Sequence, residues 1–95
     1  MENQKQLNIG LFGFGVVGEG LYKVLEQTPS LQANIVKVCI KDATKKRNAP
    51  AELFTADRYE LLNNPDINVI VEVINESEPA FEIVSTALKN GKAVV

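Results

Sequence analysis

The sequence predicts an α/β domain built on a doubly wound parallel sheet, and three of its features carry that prediction. Short apolar runs alternate with amphipathic stretches along the whole chain. Those runs are rich in β-branched residues and nearly continuous, as strands covered on both faces must be. Glycines, prolines and asparagines punctuate the junctions between them. The expected order is strand, helix, strand, short helix, strand, helix, strand.

The first strand is Leu7 to Phe12, apolar apart from Asn8 and Gly10. A turn follows at Gly13-Phe14-Gly15. From Val16 to Gln27 the spacing becomes helical, with Val17, Leu21, Val24 and Leu25 on one face and Glu19, Lys23 and Glu26 off it. Gly20 weakens this helix by up to ~1 kcal/mol relative to alanine, and Pro29 closes the region. Ile35 to Ile40 reads as the second strand. Lys41 to Ala51 is a polar loop containing Pro50. A short helix is expected from Asp57 to Leu62, with Asp57 as N-cap and Glu60 as its capping-box partner. Asn63-Asn64-Pro65-Asp66 then breaks the chain.

Ile67 to Ile74 is the third strand and Asn75 to Glu78 a polar turn. Pro79 suits the first turn of a helix, where its missing N–H costs nothing. That helix is expected to carry Ala80, Phe81, Ile83, Val84, Ala87 and Leu88 inward and to stop at Asn90-Gly91. Lys92 to Val95 opens a fourth strand. The chain stops inside it, so the expectation is a fragment of a longer protein.

Composition narrows the function classes. At 95 residues the chain holds one domain and one modest core. Ten basic residues against 12 acidic ones give a net charge of -2, which argues against a nucleic-acid binder relying on phosphate neutralisation. There is no histidine, so chemistry here must do without the commonest acid–base residue and metal ligand; no metal site is assigned. The single cysteine, Cys39, lies in an apolar run and reads as a core residue. Met1 to Gln6 is too short and polar for a signal peptide, and no apolar run approaches the ~20 residues needed to span a membrane. A soluble cytoplasmic chain without membrane or nucleic-acid partners is expected, with a homo-oligomer left open.

The strongest local pattern is Gly13-Phe14-Gly15-Val16-Val17-Gly18, a G-x-G-x-x-G between a strand and a helix. Each glycine has a physical task. Gly13 permits the tight turn. Gly15 lets the backbone approach a pyrophosphate. Gly18 lets the helix pack closely on the sheet. The helix N-terminus adds unpaired N–H donors and a partial positive charge. In this context the pattern predicts a Rossmann-like dinucleotide site, whereas glycines alone would mark only a tight turn. A Walker loop is a poor match, because Gly18-Glu19-Gly20 stands where Gly-Lys-Ser/Thr is needed.

Two further places are candidate contacts. NAD-preferring units put an acidic residue after the second strand, about 20 residues past the motif, for the ribose 2′-hydroxyl. Here Lys41 takes the first polar position, and Lys45, Lys46 and Arg47 follow. A cation there favours NADP by pairing with its 2′-phosphate. Asp42 would serve NAD if the strand ran one residue longer, and a merely solvated basic loop is the plainer alternative. After the third strand, Asn75 and Ser77 could hydrogen-bond the nicotinamide half, while helix capping by Ser77 or Glu78 is the plainer reading. Glu72, Glu76 and Glu78 form no evident acid–base pair, and no catalytic residue is assigned.

Four blocks together resemble the N-terminal domain of homoserine dehydrogenase: Ile9 to Gly18 (IGLFGFGVVG), Leu61 to Ile67 (LLNNPDI), Val71 to Ile74 (VEVI) with Ser77 to Ala80 (SEPA), and Ala87 to Val95 (ALKNGKAVV). The resemblance implies an oxidoreductase interconverting aspartate semialdehyde and homoserine with NAD(P), on the route to threonine and methionine. It implies that Phe14, Val16 and Val17 belong to the phosphate-facing turn and that Lys41 meets the 2′-phosphate. Two departures matter. The family usually has paired glycines where this chain has Asn75-Glu76, and it continues into a substrate domain carrying the catalytic lysine and acidic residues. Residues 1–95 are thus expected to be a partial NAD(P)-binding domain, inactive alone. The alternatives are a dehydrogenase of the glucose–fructose oxidoreductase type and a non-catalytic dinucleotide-sensing module.

Overall fold

The computed structural model describes residues 6–41, 49–73 and 77–95, with backbone alone for 77–81. Five parallel strands form one sheet: β1 (Leu7–Phe12), β2 (Ala33–Cys39), β3 (Phe54–Thr55), β4 (Val69–Glu72) and β5 (Ala93–Val94). Their order is β3-β2-β1-β4-β5, and every pairing is parallel. Helices α1 (Val16–Gln27), α2 (Tyr59–Leu62) and α3 (Ser77–Lys89) make the crossovers. Single 3-10 turns at Pro29–Leu31 and Ala51–Leu53 complete the regular structure among the described residues.

The sheet splits the core into two layers, as expected of a doubly wound fold. Alternation sends Ile9 and Leu11 of β1 to the α1 side, where Val38, Ile40 and the ring of Phe14 join them. Phe12 points the other way, into a layer with Cys39, Leu61, Leu62, Ile67, Ile70, Ile83 and Ala87 beneath α2 and α3. Each large side chain fully buried in these layers stabilises by about 1.5–3 kcal/mol. The pleat of β2 changes phase midway. Ile9 pairs with Ile35 but Gly10 pairs with Lys37, so Val36 is an extra residue. Such a bulge lets Val36 pack under α2 while Val38 still faces α1.

Several expectations need correcting. β2 begins at Ala33 rather than Ile35 and ends at Cys39. β3 was not expected: two residues leave no periodicity to read. The inward face of α1 is Gly18, Leu21, Tyr22 and Leu25, whereas Val17 is 69% exposed and Val24 52%. The contact of Gly18 with the preceding turn fixes the rotation of the helix and carries both valines outward. On α3, Ile83 and Ala87 are buried as expected but Leu88 is 60% exposed; the side chains of Ala80 and Phe81 lie outside the described residues. The helix α2 starts at Tyr59 rather than Asp57, and its N-cap is Arg58, without a side-chain cap; the Asp57 carboxylate only turns the chain into it, accepting the Tyr59 N–H at 3.0 Å. Glu60, its expected partner, instead lies 3.9 Å from the Lys37 ammonium.

The stop at Asn90-Gly91 is a Schellman turn. Gly91 has φ 77°, its N–H donates to the Leu88 carbonyl (3.1 Å), and the Lys92 N–H donates to Ala87 (3.0 Å). No described helix is long and apolar enough to cross a membrane.

Candidate functional site

Parallel register brings the ends of the central strands to one edge. Phe12 lies opposite Cys39 and Glu72, and Cys39 lies opposite Thr55. Beyond β1, the Gly13 N–H donates to the Cys39 carbonyl (3.0 Å), and the Val73 N–H donates to Phe12 (2.9 Å). The strand order reverses between β1 and β4. Open α/β sheets form their ligand crevice at the carboxyl edge of such a switch point.

The three glycines of the motif divide the work there. Gly13 adopts φ 102°, a region that side chains disfavour, and a Cβ on it would lie 3.3 Å from the Val73 backbone. At Gly18 a Cβ would sit 2.6 Å from the Gly13 carbonyl oxygen, closer than any real side chain comes. The first turn of α1 therefore rests directly on the glycine turn. Gly15 is the opposite case, since a Cβ there meets no atom within 4 Å. That bare main chain borders open space, as a cradle for a close-lying ligand requires.

Gly15 is also the N-cap of α1, with no side-chain cap, and its carbonyl accepts the Glu19 N–H at 2.8 Å. Helix geometry leaves the N–H groups of the first turn without carbonyl partners inside the helix. These donors and the positive end of the helix dipole suit an anion. Val16, 91% exposed, and Val17 flank the opening. Phe14, expected among the site residues, contributes its main chain only. Its ring turns into the α1-side core, meeting Phe54 at 5.0 Å and Tyr22 at 5.9 Å between centroids, edge to face in both cases.

Lys41 is exposed one residue past Ile40, whose N–H donates to the Thr55 carbonyl at 2.9 Å. It thus stands at the same carboxyl edge, on the β2 side. Asp42, Lys45, Lys46 and Arg47 lie outside the described residues, as do Ile74, Asn75 and Glu76. Ser77 is the first residue of α3, with its side chain outside the description. Two neighbours of the site had no signal in the sequence. Val73 walls the turn at Gly13, and Phe54 backs the ring of Phe14.

Among the described residues no group of three His, Cys, Asp or Glu side chains could hold a metal ion. Cys39 is buried, and burial, outweighing the nearby Arg58 charge, pushes its thiol above the usual range. A thiol so placed is a poor nucleophile. A cleft of about 450 Å³ runs between β2 and α2, lined by Val36, Lys37, Tyr59, Glu60, Asn63 and Asn64. None of its lining residues belongs to the glycine turn, and its one cation, Lys37, already donates to the Glu52 carbonyl at 2.9 Å.

Comparison with known proteins agrees with this geometry. A family model described as homoserine dehydrogenase, NAD binding domain, matches residues 13–95. Homoserine dehydrogenase of Bacillus subtilis strain 168 is 33% identical over 100 residues, covering 96% of this chain and 23% of that protein. The crystal structure of S. aureus homoserine dehydrogenase at pH 8.5 superposes with a TM-score of 0.81 at 37% identity, covering 97% of this chain and 25% of that one. The enzyme from Thiobacillus denitrificans gives a TM-score of 0.82 at 30% identity, over 95% and 23%. The chain thus spans about a quarter of the length of the relatives it matches.

Proposed function

The chain belongs to the homoserine dehydrogenase NAD-binding domain family, and we propose that it is the dinucleotide-holding part of an enzyme interconverting aspartate semialdehyde and homoserine. The observation that carries this reading is the contrast between two glycines. Gly18 is pressed so close to Gly13 that no side chain fits, and Gly15 has nothing in front of it. Together they supply a closely packed turn with an open main chain, at the edge where such sheets bind ligands.

A bound nicotinamide supplies hydride transfer; this chain's residues bind and orient it. Gly13 sets the turn and Gly15 admits the pyrophosphate. Val16, Val17 and Gly18 offer main-chain N–H groups from the first turn of α1. Lys41 meets the 2′-phosphate, so the domain prefers NADP or tolerates both cofactors. Asn75 and Ser77 serve the nicotinamide half. The proton needed at the developing alkoxide comes from a substrate domain in the longer protein, and residues 1–95 alone do not oxidise homoserine. The setting is cytoplasmic, on the route to threonine and methionine.

Calorimetric titration of the chain with NADPH and NADH tests the assignment. NADPH is expected to bind at least as tightly as NADH, and Lys41→Glu to weaken NADPH selectively by about tenfold, as loss of a charge-assisted hydrogen bond would. Clearly tighter NADH binding, unaffected by Lys41→Glu, would refute the cofactor preference. Normal homoserine turnover by the chain would refute the division of labour.

A further inference from the structure

We infer that Phe54 is a positioning residue for the phosphate-holding turn, acting through the ring of Phe14; the inference rests on the dinucleotide reading above. Phe14 lies between Gly13 and Gly15, so the turn is built from the most pliable backbone the chain has. Gly15 carries no side-chain cap that could steady it. What the turn does have is one aromatic anchor. The Phe14 ring, 9% exposed, is met edge to face by Phe54 at 5.0 Å and 80°, and by Tyr22 at 5.9 Å and 65°.

The two rings come from different places. Tyr22 stands on α1, the helix that the turn itself opens. Phe54 stands on β3, the edge strand, which is tied to β2 by the pairing of Val38 with Phe54 and of Cys39 with Thr55. Phe14 is thereby clamped between the helix and the edge of the sheet. Aromatic pairs of this geometry stabilise beyond the area they bury. A turn held in shape before binding does not lose that freedom on binding, and the saving appears as affinity. The same clamp explains an aromatic residue in the first variable position of the glycine motif, where a surface-facing turn would favour a polar one.

The test uses the whole chain and three substitutions: Phe54→Leu, Phe14→Leu and, as control, Ile35→Ala, which thins the same core layer at the far end of β2. NADPH affinity is read by calorimetry at a temperature where every variant is folded, and amide hydrogen exchange at Gly13 to Gly18 is read without cofactor. Phe54→Leu and Phe14→Leu are each expected to raise Kd about three- to tenfold. The double variant is expected to show no more than the larger single effect, because the two rings act as a unit. Exchange at the turn should quicken in both single variants and not in Ile35→Ala. A Kd within twofold of the parent for Phe54→Leu, additive effects in the double variant, or equal changes in Ile35→Ala would overturn the inference. Failure of the unaltered chain to bind any dinucleotide would instead overturn the reading beneath it. Exchange at the turn decides the clamp even then: unchanged rates in Phe54→Leu would sink it.

Discussion

The two edges of the sheet are built on opposite principles. The amino edge is cross-linked by polar side chains whose partners are other parts of the protein. The Asn68 amide accepts the Asn8 N–H (2.9 Å) and donates to the Gln6 carbonyl (3.1 Å), while the Gln6 amide donates to Asn34 (2.7 Å). The buried Lys92 ammonium donates to the carbonyls of Asn64 (2.7 Å) and Ile67 (2.6 Å), and the Asn90 amide donates to Leu62 (2.6 Å). The carboxyl edge has a glycine N-cap, an open main chain at Gly15 and two exposed valines. One edge uses its side-chain hydrogen bonds to hold loops together, and the other has an uncapped helix N-terminus bordering open space, which the proposed function assigns to the dinucleotide. Stability and binding are thus separated by the length of a strand, and substitutions should separate them too.

Gly18→Ala sharpens that comparison most, because Gly18 is where the binding edge also carries load. Its new methyl would lie 2.6 Å from the Gly13 carbonyl, so helix and turn must part. The expected cost is about 1–3 kcal/mol of stability, with a loss of NADPH affinity of about tenfold or more as the main-chain donors to its phosphates are displaced. Denaturant unfolding and calorimetry check the two effects. Lys92→Met should act on stability alone. It takes the ammonium from the buried Ile67 carbonyl and from the part-buried Asn64 carbonyl, which keeps the Ile67 N–H at 3.1 Å, and is expected to cost about 2 kcal/mol while Kd stays within twofold. If Lys92→Met weakened NADPH as strongly as Gly18→Ala, the separation of the edges would fail.

Gly20→Ala is the smallest and has the opposite sign. Gly20 sits exposed in α1 and a Cβ there meets nothing within 4 Å. Alanine should raise stability by up to ~1 kcal/mol, seen as a higher Tm, with cofactor affinity unchanged. A loss of affinity would mean that the outer face of α1 takes part in binding.

Which parts of this were legible in the sequence follows from what generates each signal. The bounds of β1 and α1 match because Gly13 and Gly15 interrupt both periodicities between them. The stop at Gly91 was readable because an αL glycine after a helix is a local requirement. The face of α1 was not, since Val17 and Val24 look like core residues until the fit of Gly18 against Gly13 sets the rotation. Nor was Lys92, a residue type that composition assigns to the surface and that only a pair of well-placed carbonyls brings inside. Burial pushes its ammonium below the usual lysine range. At the site, the tight turn at Gly13 and the close packing of Gly18 were legible in the glycine spacing, but the place of Phe14 was not. As a residue of the motif it was read as facing phosphate, whereas its ring belongs to the core and its partner Phe54 lies on a strand too short to show a pattern.

The most direct test is a residue-resolved NMR titration of the chain with NADPH. The amide signals of Gly13 to Gly18 should move first and furthest, with Lys41 following and those of Asn64, Asn68 and Lys92 staying in place. Movement concentrated at the amino edge, or a glycine turn that does not respond while NADPH binds elsewhere, would contradict it.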